Sequence, residues 1–408
     1  MKSKPIGRAL SLLVLLLLVI AANAQKPYFP THNDWQFRTA EQAGFDAAKL
    51  KEAIDFAIAS EARGVRSQEL GLTQSFGQAP FGELVGPTKD RGDMTGIIVR
   101  NGYLVKVWGD PLRVDMTHSV TKSFLSAVVG MAFDRKLIPN LQDKVVNYNT
   151  VTVPYRDGQR YDIAERFGQS SFIDLFATEH NRKITWEHLL RQTSDWEGTL
   201  WGKPDWADRP DRDSSKWLNR VRGEPGTAYE YNDVRVNALA LAALNVWRKP
   251  LPQVLKENLM DELGASNTWR WFGYENSFVV IDGQIVQSVS GGGHWGGGMF
   301  INAYDMARFG LLTVNNGKWR EKQLLSAEFV RQAKTPTSVQ PTYGFMNWFL
   351  NTDRKLYSNA PAGVVVHTGN GTNIIYCDPE NDLVVVVRWI ENNKINEFLG
   401  KLLASLKK

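Results

Sequence analysis

Asn101-Gly102 stands between two β-prone runs, Ile97 to Arg100 and Tyr103 to Trp108, and this pairing restricts the fold of the 408-residue chain more than any other stretch. A two-residue hairpin turn needs positive φ at both central positions, which Asn and Gly tolerate, so the pair specifies an antiparallel hairpin. A hairpin alone is marginal in water and needs further strands. These come late, in Gly363 to His367, Asn373 to Cys377 and Leu383 to Trp389, the last two joined by the turn-forming run Asp378-Pro379-Glu380-Asn381-Asp382. Leu50, Ile54, Ala57 and Ile58 mark one face of a helix within Phe45 to Glu61, and Ile395, Phe398, Leu399, Leu402, Leu403 and Leu406 form an apolar stripe near the C-terminus. The intervening stretch is richer in polar, aromatic and proline residues, with helical candidates around Trp186 to Gln192 and Val234 to Trp247 and little strand pattern. The chain therefore reads as α+β. A central antiparallel sheet from residues 27–140 and 291–408 is flanked by terminal helices, a mainly helical region over residues 141–290 is inserted, and a cleft lies between them.

Lys2, Lys4 and Arg8 precede an apolar run from Ala9 to Ile20, and Ala22-Asn23-Ala24 supplies small residues for cleavage before Gln25. This three-part pattern is that of a secretory signal peptide, its apolar part short for a membrane span. Residues 1–24 thus read as a leader and residues 25–408 as a periplasmic or secreted domain, with an uncleaved anchor as the other reading. The 48 Lys and Arg against 43 Asp and Glu give +5, which falls to +2 once the leader's three basic residues are removed. Such a balance gives nucleic-acid binding no support. Cys377 is the single cysteine, which excludes an internal disulfide, and its apolar run from Ile374 reads as a buried, inert thiol. The six histidines include no H-E-x-x-H and there is no cysteine cluster, so neither a metal nor another cofactor is expected. Glycine clusters at Gly291 to Gly293 and Gly296 to Gly298 lack the Gly-Lys-Ser/Thr ending of a phosphate loop and suit a segment passing close to the cleft.

Ser119-Val120-Thr121-Lys122 places a hydroxyl and an amine three residues apart at a helix start, hence on one face. A serine hydroxyl needs a neighbouring base to act as a nucleophile, and a partly desolvated lysine can serve as one. Val120, Phe124, Leu125, Val128 and Val129 follow with helical periodicity and would pack beneath it. Ser405 and Lys408 share the spacing but lie at the chain end, where fraying is expected. A serine-capped amphipathic helix is the plain structural alternative.

Three motifs in order resemble the broad family of class C β-lactamases, DD-peptidases, related esterases and 6-aminohexanoate-dimer hydrolases. Ser119-Val120-Thr121-Lys122 matches the family's S-x-x-K. Pro225-Gly226-Thr227-Ala228-Tyr229-Glu230-Tyr231-Asn232-Asp233 resembles P-G-T-x-F-x-Y-S-N, and His367-Thr368-Gly369 matches K-T-G in its H-x-G form. Ile184 to Ser194 and Gly296 to Gly310 resemble two further family stretches. The tryptophans Trp196, Trp201 and Trp206, with Gly293-His294-Trp295-Gly296, look nearest to the dimer-hydrolase branch.

The resemblance implies a β-lactamase-like fold and a serine hydrolase acting through an acyl-enzyme on Ser119, with Lys122 and the Tyr231 phenol handling the proton. Tyr231 is the favoured base, because an adjacent ammonium would draw its pKa down from about 10. Backbone N–H groups of Ser119 and Asn370 would hold the developing oxyanion, with Gly369 allowing close approach of the substrate. Asp233 departs from the usual asparagine and could hold Lys122 by charge pairing. Tyr357-Ser358-Asn359 is a literal Y-S-N but lacks the preceding Pro-Gly-Thr. His367 in place of lysine removes a fixed carboxylate-binding charge, which favours small-molecule ester or amide cleavage over β-lactamase or DD-carboxypeptidase activity. Trp196, Trp201, Trp206 and Trp295 are candidates for the pocket wall, core packing being their other reading. A binding or sensor module that acylates without turnover is the non-enzymatic alternative, permitted by Asp233 and His367.

Overall fold

Asn101 and Gly102 adopt φ of 52° and 83° and join strands Thr95–Arg100 and Tyr103–Trp108, the turn that their residue types specify. The computed structural model describes residues 28–32, 34–148, 151–155, 172–218 and 220–407, so the leader and its Ala24-Gln25 cleavage site lie outside the described residues. The hairpin is one edge of a six-stranded antiparallel sheet ordered Phe349–Leu350, Val365–Gly369, Asn373–Asp378, Leu383–Arg388, Thr95–Arg100, Tyr103–Trp108. The two ends of the chain thus meet at the pairing of Thr95–Arg100 with Leu383–Arg388.

Alternation of side chains divides this sheet's apolar residues between two cores. Ile98, Val105, Val366, Tyr376, Val385 and Val387 face the terminal helices Ala47–Ala59 and Ile395–Ala404, which bury Leu50, Ile54, Phe398 and Leu402 against them. Ile97, Val99, Ile375, Val384 and Val386 face the other way, onto helices Thr121–Asp134 and Ala303–Val314. Asp46 accepts hydrogen bonds from the Ala48 and Lys49 amides and so caps the first terminal helix.

The inserted region carries helices, as its sequence suggests, and in addition strands of a second antiparallel sheet. Strand Arg270–Ile281 pairs with Gln284–Val289 on one flank and continues the order Asp115–Met116, Gly298–Ile301, Arg270–Ile281, Val151–Pro154, Ile173–Asp174. The signal is present in the chain: Asp282-Gly283, at φ 50° and 77°, separates two β-prone runs just as Asn101-Gly102 does. Helices do occur where the periodicity places them, at Trp186–Leu190 and Asp233–Trp247. Arg388 ties the two sheets together. Fully buried, it donates to Asn373 Oδ1 (2.9 Å), Ile301 O (2.7 Å) and Met116 O (2.8 Å). No helix among the described residues is long and apolar enough to cross a membrane.

Candidate active site

From Asp115 to Ala132 every residue is buried except Ser119. It sits on the 3-10 turn His118–Val120 that leads into helix Thr121–Asp134, so its hydroxyl emerges at the helix start. The turn is fixed on both sides. His118 takes φ 49°, Thr121 Oγ1 donates to its carbonyl at 2.6 Å, and the Met299 amide donates to Thr121 Oγ1 at 2.8 Å. The His118 ring lies 3.0 Å from Gln68 Oε1, and burial, with Arg388 and Lys122 nearby, pushes its pKa down to about 4.

Lys122 lies wholly inside the protein, donating to Ser119 Oγ at 2.8 Å and to Gly291 O at 3.2 Å, with Asp233 Oδ1 2.7 Å from its Nζ. The two residues one turn apart therefore touch, and the expected Asp233 pairing is present. Asp233 begins helix Asp233–Trp247, capped by Asn232 Oδ1, and this fixes where the carboxylate points. Tyr231, immediately before that cap, presents its hydroxyl towards Ser119, whose influence favours the phenolate, and Lys122 Nζ lies 5.1 Å from its ring centre. Its phenol is not drawn down as the nearby ammonium suggests. Burial first, and the Asp233 carboxylate second, hold it above the ordinary tyrosine value. The lysine's charge is largely answered by Asp233, and its effect on the phenol is weakened accordingly.

The third motif forms the opposite wall. A Cβ on Gly369 would come within 2.0 Å of Thr117 O and 3.0 Å of Ser119 N, so only glycine lets this strand pass so close to the Ser119 backbone. The next residue, Asn370, is thereby brought to the cleft with Thr368 and Gly369. The same logic explains the glycine run: a Cβ on Gly292 would strike His118 O at 2.1 Å and one on Gly293 would meet Asp233 Cγ at 2.5 Å.

His367 is not brought into this cleft. Strand alternation turns its ring into the core beneath, 3.0 Å from Thr313 Oγ1 and 3.3 Å from Asn347 O, and burial lowers its pKa to about 3. It is a neutral packing residue rather than a substrate contact. The tryptophan candidates are likewise core: Trp196 donates to Leu175 O, Trp295 to Phe81 O, and Trp201 is 7% exposed. Trp206, half-buried, stacks on Trp217 at 5.1 Å and is not among the residues lining the cleft. Ser358 and Asn359 bond to Asn396 on the C-terminal helix, far from Ser119 in the fold, and Ser405 is buried. Cys377 is buried too, which raises its thiol pKa.

Residues to which the sequence assigns no site role complete the cleft, whose volume is about 220 Å³. Leu72, Phe76 and Phe349 give it an apolar wall, and Arg209 and His294 a polar one. Asp208, Asp233 and His294 each present a ligand atom within 4.8 Å of the others. Lys122 and Arg209 already neutralise the two carboxylates, so the charge balance there is that of an ion-pair cluster rather than of a cation site. Nothing in the spacing of Asp208-Arg209-Pro210-Asp211 distinguishes Arg209 from an ordinary charged loop.

Comparison with known families and structures agrees with this architecture. The fold is similar to that of EstCE1, described as a hydrolase with promiscuous acyltransferase activity, at 14% identity and TM-score 0.56 over 90% of this chain and 100% of that one. It is also similar to a family VIII carboxylesterase (15% identity, TM-score 0.54, 89% and 99% covered). A third likeness is to the octameric penicillin-binding protein homologue from Pyrococcus abyssi (16%, 0.53, 88% and 77%). At these identities the likeness is one of fold. No curated protein matches the sequence. The family model described as Beta-lactamase matches residues 113–392, a span that takes in all three motifs, and the chain belongs to the beta-lactamase family of serine hydrolases.

Proposed function

We propose that the protein hydrolyses an ester or amide bond of a small molecule through a covalent acyl-enzyme on Ser119. The observation that carries this reading is Ser119 itself, the one residue of a buried stretch that is not buried, its hydroxyl held 2.8 Å from a lysine with no solvent access and lining a cleft. Ser119 Oγ attacks the carbonyl carbon. Its proton passes to Tyr231 in the phenolate form, the Lys122 ammonium stabilises the alkoxide as it forms, and the phenol then returns the proton to the leaving group. The oxyanion is held by the Ser119 and Asn370 amides, which the close approach at Gly369 supports. Water repeats the sequence on the acyl-enzyme to release the acid. The leader-like first 24 residues support export, with the domain working in the periplasm or outside the cell.

His367 packs beneath the cleft, so the family's carboxylate-binding lysine has no counterpart on this strand, and ester or amide cleavage is the reading put to the test. Replacing Ser119 by Ala is expected to abolish covalent labelling by a fluorophosphonate, and undiminished labelling would refute the nucleophile assignment. A panel of short p-nitrophenyl esters, amino-acid amides and nitrocefin run on the mature protein tests the substrate class. Turnover of esters or amides without nitrocefin turnover is the expected pattern, and the reverse would make the enzyme a β-lactamase.

A further inference from the structure

We propose that Arg209 is the anchor for a carboxylate carried by the substrate of the Ser119 site, an inference that rests on the hydrolase reading of that site. Arg209 is the cationic side chain among the described residues lining the cleft, and it is 41% exposed there, whereas Lys122 is sealed beneath Ser119. Its placement is built rather than incidental. The residue holds φ 56°, a left-handed conformation that arginine rarely adopts, and a surrounding structure must stabilise it. Asp208, wholly buried, grips Nη1 at 2.5 Å, and Asp233 Oδ2 lies 3.4 Å from Nη2. The guanidinium lies 5.2 Å from the ring centre of Tyr231 and 5.9 Å from that of Phe76, so aromatic rings flank it and its orientation is restricted.

A guanidinium has five N–H donors in a planar fork. Asp208 and Asp233 take two of them, leaving three for a ligand. Lys122 answers Asp233 and Arg209 answers Asp208, so the wall is close to neutral and an anion would be held by directed hydrogen bonds more than by net field. Tyr231 lines the cleft with Ser119 and has the Arg209 guanidinium 5.2 Å from its ring centre, which puts the anchor about one aromatic ring from the nucleophile. The carboxylate it would take therefore lies a few bonds from the scissile carbonyl. The neighbouring apolar wall of Leu72, Phe76 and Phe349 suits the short carbon chain between them. The charge that the family's lysine supplies and His367 lacks would thus enter from a different loop.

The test uses two matched substrate pairs on the mature protein. Mono-p-nitrophenyl glutarate is compared with p-nitrophenyl pentanoate for an acyl-side carboxylate, and 4-acetoxybenzoate with its methyl ester for a leaving-side one. Wild type is expected to prefer the charged member of at least one pair by about tenfold in kcat/KM, mainly through KM, as expected for a directed ionic contact. Arg209→Gln should reduce that preference to about twofold or less, and Arg209→Lys, which keeps the charge opposite Asp208 but not the fork, should reduce it several-fold. The proposal is overturned if wild type shows no preference in either pair. It is overturned equally if the variants slow charged and neutral members alike, since Arg209 would then act only on Tyr231 or on the fold. Failure of the hydrolase reading looks different: no turnover of the neutral esters and no labelling of Ser119.

Discussion

Asp233 sets the electrostatics of the site at the scale of single residues. One oxygen holds Lys122 at 2.7 Å and the other lies 3.4 Å from Arg209 and 3.3 Å from His294 Nδ1. The carboxyl is itself held well below the usual carboxylate range by Lys122 and Arg209, despite its burial. That retained negative charge and burial both favour the protonated form of Tyr231, so the base form is scarce at neutral pH. The rate should then climb with pH, kcat/KM rising about tenfold per unit through the neutral range. Asp233→Asn removes one of the two causes, so the same limb is expected to move to lower pH in a pH-rate profile. An unmoved limb would show that the phenol is not the titrating base. The variant should also unfold at lower urea, since stranding one member of a buried ion pair costs roughly 3–5 kcal/mol. The Ser119 and Lys122 contact was legible because i and i+3 on a helix are neighbours whatever the tertiary structure. Arg209 was not, because its importance comes from Asp208, Phe76 and Tyr231, which only folding gathers around it.

Among the elements, strand Val365–Gly369 is the one whose placement decides function. It passes so near the 3-10 turn that Gly369 has no room for a side chain. Gly369→Ala should push strand and turn apart and withdraw the Asn370 amide, lowering the rate of Ser119 acylation by about 100-fold, in the range for losing one oxyanion donor. Rapid-mixing acylation kinetics would measure this, and a variant acylating at the normal rate would remove Asn370 from the proposed oxyanion hole. The same strand shows why the motif alone does not place His367. A motif gives the residue type at a position, but whether the side chain faces cleft or core follows from the pleat and from what packs on each face. Thr368 reaches the cleft, and His367, one residue earlier, faces Thr313 and Trp348. The second sheet is hard to read from sequence for a different reason. Strand Arg270–Ile281 lies among polar and aromatic residues that read as loop, although Asp282-Gly283 marks its turn.

Across the whole molecule, buried histidines make stability depend on pH. His118 and His367 stay neutral in the folded protein down to about 4 and about 3, while an unfolded histidine takes up its proton near 6.5. Below pH 6.5 the unfolded chain binds more protons through these rings, so stability falls as pH falls, on the order of 3 kcal/mol for His118 alone by pH 4. Asp208 opposes this. Its carboxyl is raised to about 6 by burial and by Asp233, so it is protonated in the folded state before the unfolded one. Two histidines outweigh one aspartate, and the urea midpoint is expected to be lower at pH 5 than at pH 7.5. A midpoint that rose on acidification would mean that the carboxylate cluster, not the histidines, governs acid stability.

By itself the sequence determined the hairpin at Asn101-Gly102, the late strand pair joined at Asp378 to Asp382, the terminal helices and the adjacency of Ser119 and Lys122. Each depends on turn chemistry or on a periodicity contained within a few neighbouring residues. Only the tertiary structure decided that Tyr231 and Asp233, just before and at the start of another helix, reach Ser119 and Lys122, that His367, Trp196, Trp201 and Trp295 pack inward, and that Arg209 enters the cleft. Those outcomes depend on which buried charges find partners and which faces find cover, and both are properties of residues far apart in the chain.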